Sequence, residues 1–249
     1  MGLPISVLAR GARAMSEEAD RAVTTMFAEL REVDQLFSPY IESSEVRMLA
    51  RGEKSLEDCH PDVRDVAGRC ASATRLTGGL FDPITPGRTW DPSGLVKGWA
   101  AERASRHLAD VSDLDWCLNA GGDVVVLAPS GLPFTVGIQD PRDGARVLHA
   151  IERLGGAVAT SGTAARGAHV YDPRSGASVA ARWLSVTVVG PSLELADVLA
   201  TAAFVAGDGW LRLLASTPGY DGLAIAPDGT SATTPGWATA VRSASGFPH

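Results

Sequence analysis

The chain of 249 residues has no excess of basic side chains, since 22 Lys and Arg stand against 29 Asp and Glu, for a formal net charge of −7. Proteins that hold a nucleic-acid backbone need a basic surface, so we expect no nucleic-acid partner. Cysteine is also scarce. The three cysteines, Cys59, Cys70 and Cys117, form neither a zinc motif nor a disulfide framework, and we expect them to be small buried hydrophobic residues.

Long apolar runs are missing as well. The longest uncharged run, residues 124–139, contains four Gly and Pro residues and is shorter than the ~20 residues that a membrane-spanning helix needs. Residues 1–13 contain no apolar stretch typical of a secretory signal. We therefore predict no transmembrane segment and a cytoplasmic location, while an exported mature form stays open.

Several common catalytic signatures are absent from the sequence. It contains no G-x-x-x-x-G-K-[ST], no G-x-G-x-x-G and no G-x-S-x-G. Its five histidines show no spacing typical of metal ligands. A soft-metal centre is therefore not expected, and the chemistry has to come from other residues.

The residues that are present predict one globular α+β domain. Hydrophobic residues make up 45% of the chain and charged residues 20%, which is typical of a globular protein. Apolar spacing of three and four predicts helices over residues 16–37, 61–76, 96–108 and 193–205. Short β-type runs predict strands over residues 124–127, 134–136, 157–159 and 184–189. We expect a helical part over residues 1–112, a strand-rich part over 113–227 and an irregular tail over 228–249.

Two glycine-rich segments are candidate ligand sites. Residues 91–98 read D-P-S-G-L-V-K-G, in which Ser93 and Gly94 come just before a predicted helix whose free N–H groups attract phosphate; a simple helix cap is the alternative. Asn119, Gly121, Gly122 and Asp123 precede a predicted strand. Paired glycines there allow a ligand to approach the backbone, and an ordinary tight turn explains them equally well.

Two further segments combine hydroxyl, imidazole and carboxylate groups. Thr160, Ser161 and Gly162 are followed by His169 and a D-P-x-x-G turn at residues 172–176. Asp197 and Thr201 stand at i and i+4 on an otherwise apolar helix, so they share a face and offer hard oxygen ligands for Mg²⁺. Alternatively, His169 has only a structural role. For the helix, the alternative is that the Thr201 hydroxyl donates to the backbone carbonyl of Asp197 and that Asp197 lies at the solvent edge.

Six segments in this order together resemble one known family. An F-S-P-Y segment at residues 37–40 with S-E at 44–45 resembles the family's F-S-x-Y…S-E, and F-D-P stands at residues 81–83. The glycine-rich segments at 91–98 and 119–123, A-T-S-G with H-x-x-D-P-x-x-G at 159–176, and A-D-x-x-A-T-A at 196–202 complete the set. The chain is thereby similar to the ApbE family of FAD:protein FMN transferases.

The resemblance implies a fold, a reaction and a metal. The fold would be α+β, of two interleaved parts related to the T-fold, with FAD in the groove between them. The reaction would be Mg²⁺-dependent transfer of FMN from FAD to a Ser or Thr hydroxyl of a target flavoprotein, with release of AMP. The implied metal ligands are Asp197, Thr201 and the backbone carbonyl of Val96.

The resemblance also implies roles for further residues. His169 would contact the flavin end or the acceptor, as a candidate base, and it joins Asp197 as a candidate catalytic residue. Lys97 would add positive charge, or else pack its stem and pair with a carboxylate. The implied FAD-binding residues are Ser93, Gly94, Lys97, Asn119, Gly121, Gly122, Asp123, Thr160, Ser161, Gly162 and His169.

Two other functions remain open at this point. Water could replace the acceptor hydroxyl, which would make the chain an FAD pyrophosphatase that forms FMN and AMP. A non-catalytic FAD-binding protein is the other alternative. The first two hypotheses need Asp197 and Thr201, whereas the third does not.

Overall fold

A computed structural model describes residues 2–85, 87–163, 171–174, 176 and 182–241 of the chain. Within these residues the fold is a mixed arrangement of helices and antiparallel strands, so the predicted α+β class is confirmed. The strands are β1 Ile5–Arg10, β2 Asp115–Ala120, β3 Asp123–Leu127, β4 Phe134–Asp140, β5 Asp143–Arg153, β6 Gly155–Gly162, β7 Ser185–Gly190, β8 Asp221–Ile225 and β9 Ser231–Thr233. The helices are α1 Glu17–Phe37, α2 Glu45–Ala50, α3 Pro61–Leu76, α4 Ser93–Ala109, α5 Leu193–Ala206, α6 Trp210–Ala215 and α7 Trp237–Ala240.

Seven of these strands form the central sheet, in the order β1-β2-β3-β6-β7-β8-β9, and every neighbouring pair is antiparallel. The strands β4 and β5 form a separate hairpin. Helix α5 packs on β6 and β7, α4 packs on α5, and α1 packs on α4. The sheet therefore has α1, α4 and α5 on one face, and the hairpin with the short helix α7 on the other.

Alternation along β3 and β6 divides the apolar residues between these two faces. Val125 and Ala157 belong to the core on the helix side, whereas Val124, Val126 and Val158 belong to the core on the hairpin side. This is the two-residue period of a strand that is covered on both faces. By the same period, Asp123 lies on the same face as Val125, and Ser161 lies on the same face as Ala157. Both residues are therefore on the face of the sheet that the helices cover.

The predicted long helices form because the sequence carries their caps as well as their apolar faces. Ser16 accepts a hydrogen bond from the N–H of Ala19 at the start of α1, and Ser192 accepts one from Leu195 at the start of α5. Pro61 occupies the first position of α3. These boundaries agree with the sequence-based prediction.

Several boundaries and elements differ from that prediction, and strands β2, β5 and β8 and helices α2 and α6 were not predicted as individual elements. Helix α4 begins at Ser93 and not at residue 96, because the carbonyl of Pro92 accepts hydrogen bonds from both Leu95 and Val96. Strand β1 lies within the part predicted to be helical. The tail predicted to be irregular contains β9 and α7. Both strands are short, and each is held by a neighbour, so tertiary pairing decides their conformation.

The helical stretch Leu193–Ala215 is long and apolar enough, by length and composition alone, to cross a membrane. Half of its most apolar window is buried inside the fold. Because the core helix of a globular domain passes the same test, the packing of α5 between the sheet and α4 accounts for this composition.

The cysteines behave as small apolar side chains. Cys59 and Cys70 are buried and Cys117 is partly buried, and all three are free thiols. Burial raises the pKa of Cys70 to about 12 and that of Cys117 to about 11.

Candidate functional site

The candidate site lies at one end of the central sheet. Because neighbouring strands run in opposite directions, the β2–β3 turn, the end of β6 and the start of β7 meet there. The first turn of α4 and the second and third turns of α5, which carry Asp197 and Thr201, cover this end on the helix side. Segments that are distant in sequence are thus brought together.

A close crossing of α4 and α5 joins the two helices. A β-carbon on Gly98 would lie 2.8 Å from the carbonyl oxygen of Leu193, a distance that real side chains do not adopt. Only glycine lets the backbones approach this far. Lys97 precedes Gly98, and Asp197 stands one helical turn after Leu193, so the crossing sets these two side chains side by side.

The start of α5 is fixed by a carboxylate from α4. Glu102 Oε2 accepts hydrogen bonds from Ser192 Oγ at 2.7 Å and from the N–H of Glu194 at 3.1 Å. A negative charge is favourable at a helix N-terminus. The two helices are therefore joined by a backbone contact at Gly98 and by this cap.

Three charged side chains form a cluster that we call the charged triad: Lys97, Asp123 and Asp197. Lys97 Nζ lies 2.5 Å from Asp123 Oδ2 and 3.5 Å from Asp197 Oδ1. The lysine side chain is 14% exposed, whereas those of Asp123 and Asp197 are 2% and 0% exposed. The expectation that Asp197 could lie at the solvent edge is therefore wrong, while the alternative in which Lys97 pairs with a carboxylate is confirmed.

Two pairs of hydroxyl groups lie near the charged triad, one on each face of the sheet. Ser161 Oγ lies 2.9 Å from Thr201 Oγ1, which joins β6 to α5. Thr160 Oγ1 lies 2.9 Å from Thr187 Oγ1 on β7. The N–H of Thr160 donates to Asp123 Oδ1 at 3.0 Å. Ser161 and Thr201 lie on the helix side with the triad, and we call these five residues the polar network, whereas the hydroxyl groups of Thr160 and Thr187 lie on the hairpin side.

Above this network lies a groove of three adjoining cavities with volumes of about 410, 420 and 490 Å³. The central cavity, of about 410 Å³, is bordered by Val96 and Lys97. It shares Tyr40, Asp91 and Ser93 with the cavity of about 420 Å³, which we call the acidic cavity. It shares Gly121 and Thr160 with the cavity of about 490 Å³, which we call the hairpin cavity because β4 and β5 form one wall.

The β2–β3 turn brings bare backbone to the groove. Gly121 and Gly122 have φ values of +65° and +100°, which strain other residues. Asn119 Oδ1 accepts a hydrogen bond from the N–H of Gly122 at 2.8 Å and so closes the turn. The side chain of Leu3 packs against Gly121, at the position that a β-carbon on this glycine would approach. The β2–β3 turn is therefore both a tight turn and a place where a ligand in the groove can approach the backbone.

The acidic cavity is lined by Asp82, Asp91, Tyr40 and Tyr171, and Thr201 connects it with the polar network. Tyr171 donates a hydrogen bond to the carbonyl of Ile84 at 3.1 Å. Burial, and then the charges of Asp82 and Asp91, raise the pKa of Tyr171. The predicted turn after it is confirmed, since the N–H of Gly176 donates to the carbonyl of Asp172.

The structure brings together most of the residues singled out from the sequence. Those that line the groove are Ser93, Gly94, Val96, Lys97, Asn119, Gly121, Gly122, Asp123, Thr160, Gly162 and Thr201. Ser161 and Asp197 lie beneath it. His169 lies outside the described residues, and no cluster of three His, Cys, Asp or Glu side chains suited to a metal occurs among the described ones.

Some groove residues were not among the predicted site residues. Tyr40, Asp82 and Asp91 stand in segments that match family motifs, and this match was the signal that could have identified them. Thr187, which contacts Thr160 but does not line the groove, had a weaker signal, as a single threonine within a strand of valines.

A larger cavity lies elsewhere in the described structure. It has a volume of about 1090 Å³ and lies between α3, α4 and the start of α5. Arginines line it together with Trp99 and Glu194. None of the predicted site residues within the described ranges borders it, so its size does not make it the candidate site.

Comparison with known proteins agrees with these features. The sequence profile of the ApbE family matches residues 1–91 and 84–224. A Vibrio cholerae FAD:protein FMN transferase is 31% identical over 129 residues, which cover 47% of this chain and 39% of that protein. A Klebsiella pneumoniae FAD:protein FMN transferase is 29% identical over 163 residues, which cover 59% of this chain and 50% of that protein. The chain thus spans half or less of the length of these relatives.

Solved structures share the fold over nearly the whole chain. An ApbE protein of Thermotoga maritima has a TM-score of 0.84 at 21% identity, and 97% of each chain is covered. The flavin transferase ApbE of Vibrio cholerae has a TM-score of 0.77 at 20% identity, with 95% of this chain and 99% of that chain covered. Together with the match of the family profile to most of the sequence, these similarities establish that the chain belongs to the ApbE family.

Proposed function

We propose that this protein transfers FMN from FAD to a Ser or Thr hydroxyl of a target flavoprotein and releases AMP. The observation that carries the proposal is the polar network of the charged triad, Ser161 and Thr201 beneath a groove that continues on both sides of it. FAD is an extended molecule with its pyrophosphate in the middle. A groove with polar groups at its centre suits such a ligand, and the names of the matched relatives support it.

The reaction exchanges one phosphorus–oxygen bond for another. The acceptor oxygen forms a bond to the phosphorus of the FMN half, the bond from that phosphorus to the AMP oxygen breaks, and AMP leaves with the electron pair. The proton of the acceptor hydroxyl passes to a base, for which His169 is the candidate. Lys97 stabilises the negative charge that develops on the phosphate oxygens.

The residues at the site fit a divalent cation. The charged triad has a formal charge of −1, and both carboxylate oxygens of Asp197 are buried. With the hydroxyl of Thr201 and the carbonyl of Val96, Asp197 would offer the hard oxygen ligands that Mg²⁺ prefers. Bound there, Mg²⁺ would neutralise charge on the pyrophosphate.

The groove walls would hold the rest of FAD. In the first turn of α4, Gly94 offers its backbone N–H group to a phosphate, and Ser93, whose N–H donates to Asp91 Oδ1 at 3.0 Å, offers its hydroxyl group. Asn119, Gly121 and Gly122 let the nucleotide approach the backbone closely. Thr160 and Gly162 border the hairpin cavity, and Ser161 acts through its hydrogen bond to Thr201.

The test is turnover of FAD with Mg²⁺ in the presence and absence of an acceptor peptide, following AMP, free FMN and peptide-bound flavin. Asp197→Asn should lower turnover by at least about 100-fold, since a metal contributes several kcal/mol to catalysis. Glu194→Gln is the matched control, because it removes a carboxylate from the same helix outside the groove, and it should stay within about threefold of wild type.

The products separate the proposal from its alternatives. AMP with flavin bound to the peptide supports the transferase. AMP with free FMN only would contradict the transferase and indicate a pyrophosphatase. Bound, intact FAD would contradict both and indicate a carrier. Unchanged turnover of Asp197→Asn would refute the metal site.

A further inference from the structure

Two buried carboxylates compete for one ammonium group in the charged triad. Lys97 Nζ forms a short ion pair with Asp123 Oδ2 at 2.5 Å and a longer ion pair with Asp197 Oδ1 at 3.5 Å. Both carboxylates are almost fully buried, so each gains strongly from a nearby positive charge. The position of Lys97 is therefore set by the carboxylate that holds it more closely, which is Asp123.

Asp123 is anchored independently of Lys97. It begins β3, where it pairs with Ala120 of β2. Its second carboxylate oxygen, Oδ1, accepts the N–H of Thr160 on β6 at 3.0 Å. Strand β3 lies between β2 and β6 in the sheet. The carboxylate thus projects from a rigid part of the fold with one oxygen fixed and the other directed at Lys97.

We propose that Asp123 is a positioning residue that holds the Lys97 ammonium closer to itself than to Asp197 and so weakens the competition of Lys97 with a divalent cation for the Asp197 carboxylate. This inference rests on the proposed function, in which Asp197 is a metal ligand. Without the charge of Asp123, the ammonium would move to the remaining carboxylate. It would then compete more strongly with the cation for the same oxygens.

The variant Asp123→Asn tests this competition with little change of shape. Asparagine keeps an oxygen that can accept the N–H of Thr160, and only the charge is lost. We expect Mn²⁺, a probe that takes the same octahedral oxygen ligands as Mg²⁺, to bind the FAD-free protein at least about tenfold more weakly, as for other residues that orient metal ligands. Binding is measured by electron paramagnetic resonance of the free ion, which needs no turnover.

A double-mutant cycle distinguishes competition from a general loss of negative charge. Lys97→Met should raise Mn²⁺ affinity in both backgrounds, because it removes a positive charge that lies 3.5 Å from Asp197 Oδ1. The gain should be at least about tenfold larger in the Asp123→Asn background, where Asp123 no longer holds the lysine. Equal effects of Lys97→Met in both backgrounds would overturn the proposal, because a long-range charge effect is additive. A loss in Asp123→Asn that Lys97→Met does not restore would also overturn it and indicate a structural role.

Folding and the underlying metal site have separate readouts. Thermal unfolding of each variant reports whether it is folded. If Asp123→Asn does not fold, the same cycle is carried out with Asp123→Ser, which removes the same charge, and the same outcomes decide. If wild-type protein binds no Mn²⁺, or if Asp197→Asn binds it as well as wild type, the proposed metal site fails. If wild-type protein binds Mn²⁺ through Asp197 but the effects of Asp123→Asn and Lys97→Met on Mn²⁺ affinity are additive, only the proposed role of Asp123 is refuted.

Discussion

The hydroxyl group of Ser161 lies 2.9 Å from the hydroxyl group of Thr201. This contact joins the end of β6 to the third turn of α5. It also fixes the side-chain rotamer of Thr201, which borders the acidic cavity. Ser161 is almost fully buried, so its effect on any ligand in the groove passes through Thr201.

Ser161→Ala should therefore weaken the binding of Mn²⁺ by about 10- to 100-fold, which is typical of a lost hydrogen bond to a metal ligand. Ser105→Ala is a matched control, because Ser105 is also buried but donates its hydrogen bond within α4, to the carbonyl of Glu102. Titration of both variants with Mn²⁺ checks the prediction. Equal affinities in the two variants would show that Thr201 does not depend on Ser161.

Gly98→Ala should lower the free energy of unfolding by about 1–3 kcal/mol, the usual effect of an overpacked contact. The added methyl group would meet the carbonyl oxygen of Leu193 and force α4 and α5 apart. Gly68→Ala, inside α3, is the control: no atom lies within 4 Å of its added β-carbon, so it should gain up to about 1 kcal/mol in helix propensity. Urea unfolding measures both, and a Gly98→Ala protein as stable as wild type would contradict the close crossing.

Glu102→Ala should lower the free energy of unfolding by about 1.5–3 kcal/mol, because Ser192 Oγ and the N–H of Glu194 lose a charged acceptor. Glu102→Gln keeps an acceptor oxygen and should lose less. Glu18→Ala, which breaks an exposed ion pair with Arg13 at 3.6 Å, should change the free energy by less than about 1 kcal/mol. Urea unfolding of the three variants checks this order, and equal values for Glu102→Ala and Glu18→Ala would refute the cap.

The hairpin tip should make stability depend on acid pH. Hydrogen bonds from the side chain and the backbone N–H of Arg142 lower the pKa of Asp140 to about 2, whereas an aspartate in an unfolded chain titrates near about 3.9. The folded state therefore binds fewer protons in this interval, and the stabilisation is present above about pH 4 and lost as the pH falls toward about 2. Asp140→Asn and Arg142→Met should both reduce the slope of unfolding free energy against pH there, measured by urea unfolding at several pH values. An unchanged slope in both variants would contradict this assignment.

Local sequence predicted the long helices well because their signals are local. The cap at Ser16, the proline at position 61 and the cap at Ser192 each lie next to the helix they start. The glycine turn of β2–β3 was also recognisable, because the paired glycines mark it. The strands β1 and β9 were missed, since each is defined by a neighbouring strand and not by its own residues.

The candidate site was predicted as a set of residues but not as an arrangement. The segments matched the family motifs one by one, and the structure places the described ones around one groove. The charged triad depends on the crossing at Gly98, and no sequence pattern indicates that Gly98 meets Leu193 in particular. For the same reason the burial of Asp197 could not be separated from a solvent-edge position by sequence alone.

The pairing of β1 with β2 has a consequence for how the chain folds during its synthesis. Ile5 pairs with Ala120, more than a hundred residues further along the chain, and Leu3, just before β1, packs on Gly121 and borders the central cavity. Contacts across so long a loop form slowly, because the loop entropy is lost before the contacts compensate for it. A nascent chain cannot complete this wall of the groove until β2 has left the ribosome, so the groove is among the later parts of the molecule to form.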